Sequence, residues 1–439
     1  MSYRVWPQRG QSGSRHIVHM VETTVAVIGG GSTGIGTARD LAMRGVDVTV
    51  VERGGLAGGT SGRSHGLLHS GARYAESDPE GATECIEANQ TLRDIGGHCI
   101  NDTGGLFVQL ADDDDEYFES KLEACRELGI DATVISGDEA RERVPELASS
   151  TERAMVVPDA AIYPSRLVAA NAESAANHGA TIRTDAPVEG ISVTDGEIEE
   201  IALGGDSPTT LEPEYVINAT GPWADSVAAM AGIDFDMKPT KGVMVSVEYD
   251  SLSPVLNRCR EPDDGDIIIP HENEAVLGTT SIEVDDPDSF SKDRWEIERM
   301  FEECSDMLPA IDGNEIVRSW WGCRPLYAPD EASRSDSGVG DERSISRGFT
   351  LLDHERDGVT NFASVVGGKL TTYRMMAEHT ADHVCDALGV DGESVTAEER
   401  LPGVSDPEEL DRLVAKYGEP QPTDAGVVGD NPGIANADD

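Results

Sequence analysis

Lysine is nearly absent from this chain. Only six of 439 residues are Lys, and most of the basic charge is Arg. Lys and Arg together number 34 against 83 Asp and Glu, so the formal net charge is -49. A surface of that sign repels a phosphate backbone, which disfavours nucleic acid as a partner. The acidity is either a charge balance without further meaning or an adaptation to a very salty cytoplasm. The second is the expectation, because salt screens the self-repulsion that opposes folding. Also missing is any apolar run near the ~18 residues that a membrane helix needs. Hydrophobic residues make up 38% and mean hydropathy is -0.34, which suits a globular chain in water. Cysteine is sparse and unpatterned. The seven Cys (85, 99, 125, 259, 304, 323 and 385) form no C-x-x-C. That argues against a disulfide framework, a zinc site and an iron–sulfur cluster, and for a reducing compartment.

The length exceeds what one ordinary core needs, so two domains and a tail are expected. Residues 1–22 read as a disordered leader. Its first 20 residues hold Arg4, Arg9 and Arg15 and no acid, and they lack the apolar core of a secretory signal. Met20 is a candidate natural start. Thr24 to Ile28 and Asp47 to Val51 read as buried parallel strands, with a helix from Ser32 to Arg44 between them. Tyr215 to Ala219 is another such strand, and Ser165–His178 and Thr371 to Leu388 read as helices. Residues 240–282 and 314–327 alternate and carry β-branched residues, the mark of a mixed or antiparallel sheet. Residues 329–348 read as a surface loop. Pro407 to Tyr417 is one last helix, and the Pro/Gly/Asp-rich stretch from Glu419 reads as disordered.

Three glycine-rich turns carry the chemistry. The first, Gly29-Gly30-Gly31-Ser32-Thr33-Gly34, joins a strand to a helix. Gly29 permits the tight turn, Gly31 lets backbone approach a pyrophosphate, and Gly34 lets helix and strand pack closely. The helix N-terminus then offers its free N–H groups to phosphate. Glu52, at the end of the second strand, stands where an acid accepts hydrogen bonds from an adenosine ribose. After Glu52 comes an insert of glycines and small hydroxyl residues, Gly58 to Tyr74, which a plain NAD dehydrogenase does not need. Thr60, Ser61, Ser64, Gly66 and Leu68 are its candidate cofactor contacts, and FAD is the expected dinucleotide. The second turn ends an apolar strand at Ala219-Thr220-Gly221, where a parallel sheet meets its ligand. In the third, Gly367-Gly368-Lys369-Leu370-Thr371 opens a helix whose positive end favours the negative charge of a reduced flavin.

Cations set in apolar or glycine-rich surroundings stand out in so acidic a chain. Arg324 follows Trp320, Trp321, Gly322 and Cys323; Arg347 precedes Gly348; Lys369 sits in the glycine turn; Arg73 sits beside Tyr74. Each is either an ion pair with the abundant acids or part of a site for a phosphate or carboxylate, which Arg binds bidentately.

The stretches TSGRSHGLLHSGARYA, NRCREPDDGDIIIP, WGCRPLYAPD, SRGFTLLDH and GGKLTTYRMMAEHTADHVC resemble the large FAD subunit of anaerobic glycerol-3-phosphate dehydrogenase. The resemblance runs from about residue 24 to residue 390. It extends to the aerobic membrane-associated dehydrogenase and the glycerol-3-phosphate oxidases. It implies an α/β (α+β) fold like that of D-amino acid oxidase, in which a Rossmann-type FAD-binding domain is roofed by a mixed or antiparallel substrate sheet. The expected division is residues 23–95, 150–235 and 345–390 for FAD, 96–149 and 236–344 for substrate, and 391–439 for a short helix and acidic tail.

The implied reaction moves hydride from C2 of glycerol-3-phosphate to flavin N5, giving dihydroxyacetone phosphate, with electrons passed to a quinone. Arg324, Arg347 and Lys369 are then the substrate and phosphate contacts, and Arg73 and Tyr74 belong to the pocket wall. His69 and His271 are candidates for taking the C2 hydroxyl proton. The implied partners are a membrane anchor and iron–sulfur proteins, and the implied location is the inner face of the cell membrane. The resemblance does not reach a cysteine-rich C-terminal region, for no Cys follows Cys385. A flavin amine or amino-acid oxidase of the same fold, and a non-catalytic protein that merely holds FAD, remain as alternatives.

Overall fold

The computed structural model describes residues 19–205, 208–327 and 348–428. Strand β1 (His19–Ile28), helix α1 (Ser32–Met43) and strand β2 (Val48–Val51) form the opening unit. Val25, Val27, Val48 and Val50 are fully buried, as strands covered on both faces require. β1 lies parallel to β2 on one side and to Thr209–Asn218 on the other. Thr181–Arg183 extends the parallel order beyond β2, and Phe362–Gly367 pairs in parallel with the end of Thr209–Asn218. An antiparallel pair, Val188–Thr194 and Glu197–Leu203, completes the far edge. Helix α1 packs among Pro164–Asn177 and Tyr373–Leu388, burying Ile35, Ala38, Leu41 and Ala42 in one core with the strand valines.

β1 is longer than its apolar run. Met20 pairs with Thr210 and Thr23 with Pro213, so His19 to Glu22 belong to the sheet and not to a leader. Their partners lie about 190 residues away, out of reach of local composition. Residues 1–18 fall outside the described residues.

A second sheet of nine strands is antiparallel except where Val255–Arg258 runs beside Gly105–Leu110. Its longest pairing joins Met237–Glu248 to Ile316–Tyr327, placing Arg324 opposite Thr240. Helix Arg294–Met307 closes its core with Met300, Cys304 and Met307 fully buried. Thr151–Val157, expected with the FAD strands, pairs instead with Gly105–Leu110 in this sheet. Its alternation satisfies either sheet, and register with residue 105 decided the matter.

The C-terminal stretch also departs from expectation. Helix Pro407–Tyr417 is followed by ordered, packed chain through Val428, with Thr423 and Asp424 fully buried. Asp424 accepts hydrogen bonds from the Ser165 backbone N–H (2.9 Å) and hydroxyl (2.6 Å), at the start of helix Pro164–Asn177. Tyr163, the residue before that helix, provides no side-chain cap, and Asp424 fills the role from afar.

Candidate active site

At the C-terminal ends of the parallel strands lies a cleft of about 950 Å³. That is the upper end of the range for small-molecule sites, so a long ligand fits it. Gly29 makes the turn with φ +114°, and a Cβ there would stand 2.5 Å from the Ala219 carbonyl oxygen. A Cβ on Gly34 would meet the Gly29 carbonyl at 2.1 Å, so Gly34 serves packing. Gly31 lines the cleft, where the first turn of α1 begins.

Glu52 binds the glycine turn directly. Its Oε2 accepts from the Gly30 N–H at 2.7 Å and its Oε1 from the Gly54 N–H at 3.0 Å. A carboxylate has lone pairs left for two ribose hydroxyls after those bonds. Ser61 Oγ accepts from the Ser32 N–H at 2.9 Å, tying the insert to the start of α1. Thr60, Ser64, Ala219, Thr220, Gly221, Gly367, Gly368 and Leu370 also line the cleft. These donors, glycines and the helix end fit the pyrophosphate and ribose of a dinucleotide. Gly66, Leu68 and Thr371 do not line it. Leu68 is fully buried in a core with Leu92 and Ile162, and Thr371 Oγ1 accepts the His69 N–H at 3.1 Å from beneath.

A smaller cavity of about 110 Å³ adjoins the cleft and shares Thr60, Ser64, Pro325, Gly368, Lys369 and Leu370 with it. Arg324 and Lys369 both line it, with His65, His69 and Tyr74. Arg324 Nη2 donates to the Thr280 carbonyl (3.0 Å) and the Thr279 hydroxyl (3.3 Å). Lys369 Nζ lies 4.7 Å from the Tyr74 ring centre and 4.0 Å from Asp78 Oδ2. The Tyr74 hydroxyl is 3.4 Å from His69 Nε2.

Two of the residues expected in the substrate pocket also fall elsewhere. Arg73 turns away from the cavity to pair with Asp266 at 3.3 Å, and the same carboxylate holds Arg260 at 2.9 Å. His271 is buried behind Gly66, whose Cβ would touch its Nε2 at 2.9 Å, and stands edge-on to Tyr163. Burial pushes that imidazole down to about 4, so it is neutral at ordinary pH. A third, Arg347, lies outside the described residues. One cation was missed: Arg63 lines the smaller cavity, and burial lowers its pKa. Its Nε donates to the Gly58 carbonyl at 3.0 Å. It sits in the glycine insert, between Gly62 and Ser64, where its neighbours are small residues and no apolar run marks it as buried.

A parallel sheet with a dinucleotide cleft at its strand ends, roofed by a largely antiparallel sheet that brings a cation to the cleft's inner end, is the architecture of a flavin-dependent oxidoreductase. The family model described as FAD dependent oxidoreductase matches residues 24–383. Among relatives, the A1 subunit of anaerobic glycerol-3-phosphate dehydrogenase from Haloferax volcanii is 50% identical over 396 residues, covering 87% of this chain and 67% of that protein. The corresponding subunit of the Escherichia coli K12 enzyme is 40% identical over 394 residues, covering 88% and 71%. The chain belongs to the FAD dependent oxidoreductases, and within them to the family of these dehydrogenase subunits. Among solved structures, glycerol-3-phosphate dehydrogenase from Bacillus halodurans complexed with FAD superposes with a TM-score of 0.68 at 22% identity, over 90% of this chain and 76% of that one. Glycine oxidase from Geobacillus kaustophilus gives 0.66 at 21%, over 87% and 99%. Both show the shared fold.

Proposed function

We propose that this chain oxidises glycerol-3-phosphate to dihydroxyacetone phosphate. The observation that carries the reading is the pairing of Arg324 and Lys369 on one small cavity beside His69, at the inner end of the dinucleotide cleft. FAD bound in that cleft supplies the acceptor for the hydride leaving C2. Arg324 and Lys369 neutralise the substrate phosphate, which a plain polyol lacks. His69 takes the C2 hydroxyl proton, with Tyr74 at its Nε2 fixing the ring. Helix Tyr373–Leu388 presents its N-terminal end near the glycine turn, where positive potential favours the reduced product. The 50% identical relative, itself named for this dehydrogenase, supports the substrate.

The relatives are named as subunits, so we place the chain in a multi-subunit assembly; iron–sulfur partners and a quinone are the electron route that the sequence resemblance implies. Among the described residues no helix is long and apolar enough to cross a membrane. Contact with the inner face of the cell membrane is proposed to run through an anchoring partner. The test is an anaerobic titration of the yellow protein. Glycerol-3-phosphate should bleach the flavin band, while glycerol and amino acids should not. Bleaching by an amino acid would make it an oxidase of that class, and a band unchanged by every substrate would make it a non-catalytic FAD carrier.

A further inference from the structure

The C-terminal segment grips the cofactor loop. Thr423 is fully buried, and its hydroxyl stands 2.8 Å from the Gly62 carbonyl oxygen and 2.6 Å from that of Ser64. Its N–H reaches the same Gly62 carbonyl at 3.3 Å. Gln421 packs so closely over this turn that a Cβ on Gly62 would lie 2.4 Å from its side chain. This turn is no ordinary surface loop. Ser61, just before Gly62, accepts the Ser32 N–H, and Ser61 and Ser64 both line the dinucleotide cleft.

The segment is itself held at two further points. Asp424 accepts from Ser165 at the start of helix Pro164–Asn177, as described above. Arg318 Nε donates to the Pro422 carbonyl at 2.8 Å, while its Nη1 binds Glu274 at 2.8 Å. Arg318 and Arg324 share one strand, Ile316–Tyr327, of the substrate sheet. Residues 421–426 thus bridge the substrate sheet, a helix of the FAD unit and the cofactor loop.

We propose that residues 421–426 are a latch on the cofactor loop, with Thr423 as a positioning residue for the dinucleotide, so that FAD binding and seating of this segment stabilise each other. Ser64 Oγ donates to the Ser61 carbonyl at 3.2 Å, so the Ser61 and Ser64 side chains share the turn whose backbone Thr423 holds at Gly62 and Ser64. With the latch lifted, that turn loses its outer hydrogen bonds and the cleft loses a fixed wall. Linkage makes the coupling reciprocal: whatever the seated latch adds to FAD affinity, FAD adds to seating of the latch. The inference rests on the cleft being the FAD site.

Two measurements on the full chain test it. In the parent, amide exchange of residues 421–426 should slow when FAD is added to apoprotein. In Thr423→Val, which keeps the shape but not the donor, the Kd for FAD should rise about tenfold at a temperature well below the apoprotein melting transition of either protein, and Thr423→Ser should restore it. Equal exchange with and without FAD overturns the latch, whether or not the variant folds. So does a Thr423→Val protein with parental FAD affinity, or one whose apoprotein is destabilised while the Kd for FAD stays put. A parent that takes up no FAD at all would overturn the reading of the cleft as well.

Discussion

At the scale of single residues, Arg324 is the sharpest test of a phosphorylated substrate. Its Nη2 is held by Thr279 and Thr280, so the guanidinium is aimed before any ligand arrives. Arg324→Ala and Arg324→Lys should keep FAD and lose kcat/KM by about 10–1000-fold, from roughly 1.5–4 kcal/mol of charge-assisted bonding. Steady-state kinetics and melting temperature, measured side by side, check this. Lost stability with intact kinetics would make Arg324 a scaffold residue. His69→Gln should lower kcat while leaving FAD retention intact, measured by single-turnover flavin reduction; an unchanged reduction rate would remove His69 from the proton path. Glu52→Gln keeps one acceptor oxygen but turns an NH₂ toward one of the two backbone N–H groups, so it should weaken FAD retention by roughly 1.5–3 kcal/mol. Gel filtration with absorbance measures the flavin left behind, and full retention would end the ribose role.

The expected residues that the structure gathers at the cleft are those whose setting is local. Gly29, Gly31 and Glu52 sit within one βαβ unit, where spacing in sequence is spacing in space. Arg73 and His271 were misplaced because their settings come from far away. Asp266, which captures Arg73, is 193 residues on, and Tyr163 and Gly66, which bury His271, are more than 100 residues before it.

At the scale of elements, the C-terminal segment shows what composition hides. Pro, Gly and Asp in a row look like a solvated tail, yet Asp424 is buried as the cap of a helix that starts at Pro164. Burial raises its carboxyl to about 6 from the ordinary 3.8, against the Ser165 hydrogen bonds that lower it. The folded value lies above the unfolded one. Between those values the folded protein keeps a proton that the unfolded chain has lost, so this group's contribution to stability falls as pH rises from about 4 to 6. Asn cannot titrate. The stability of the parent relative to Asp424→Asn should therefore fall across that window, by up to about 3 kcal/mol in all, and stay level above it. Denaturant unfolding of both proteins at several pH values measures the difference, and a flat difference would refute it.

The strands tell a similar story. The valine runs of β1 and β2 were plain, whereas the first residues of β1, His19 to Thr23, mix polar and apolar side chains and join the sheet through Thr209–Pro213. Thr151–Val157 went to the other sheet because pairing, not pattern, chose its partner.

At the scale of the whole molecule, the charge of -49 dominates. The acids are spread over both sheets and over the rim of the cleft, where Asp225, Asp236, Asp285 and Asp286 stand beside a site for an anionic dinucleotide. Screening should relieve both the global repulsion and that local one. The melting temperature of the holoprotein should rise steadily from low to molar KCl, and a protein equally stable at both would refute salt adaptation. The 50% identical relative from Haloferax volcanii is in keeping with this expectation.

The order of strands also bears on how the molecule is made. β1 leaves the ribosome first, but its neighbour in the sheet ends at Asn218, and that strand's own neighbour ends at Gly367. The glycine turn at 367–368 and the grip of Thr423 arrive later still. A nascent chain therefore carries its dinucleotide fingerprint without a finished cleft until Gly367 and Gly368 have been made. Flavin uptake should then follow the making of the third glycine turn, with FAD acting on a chain whose parallel strands are already paired.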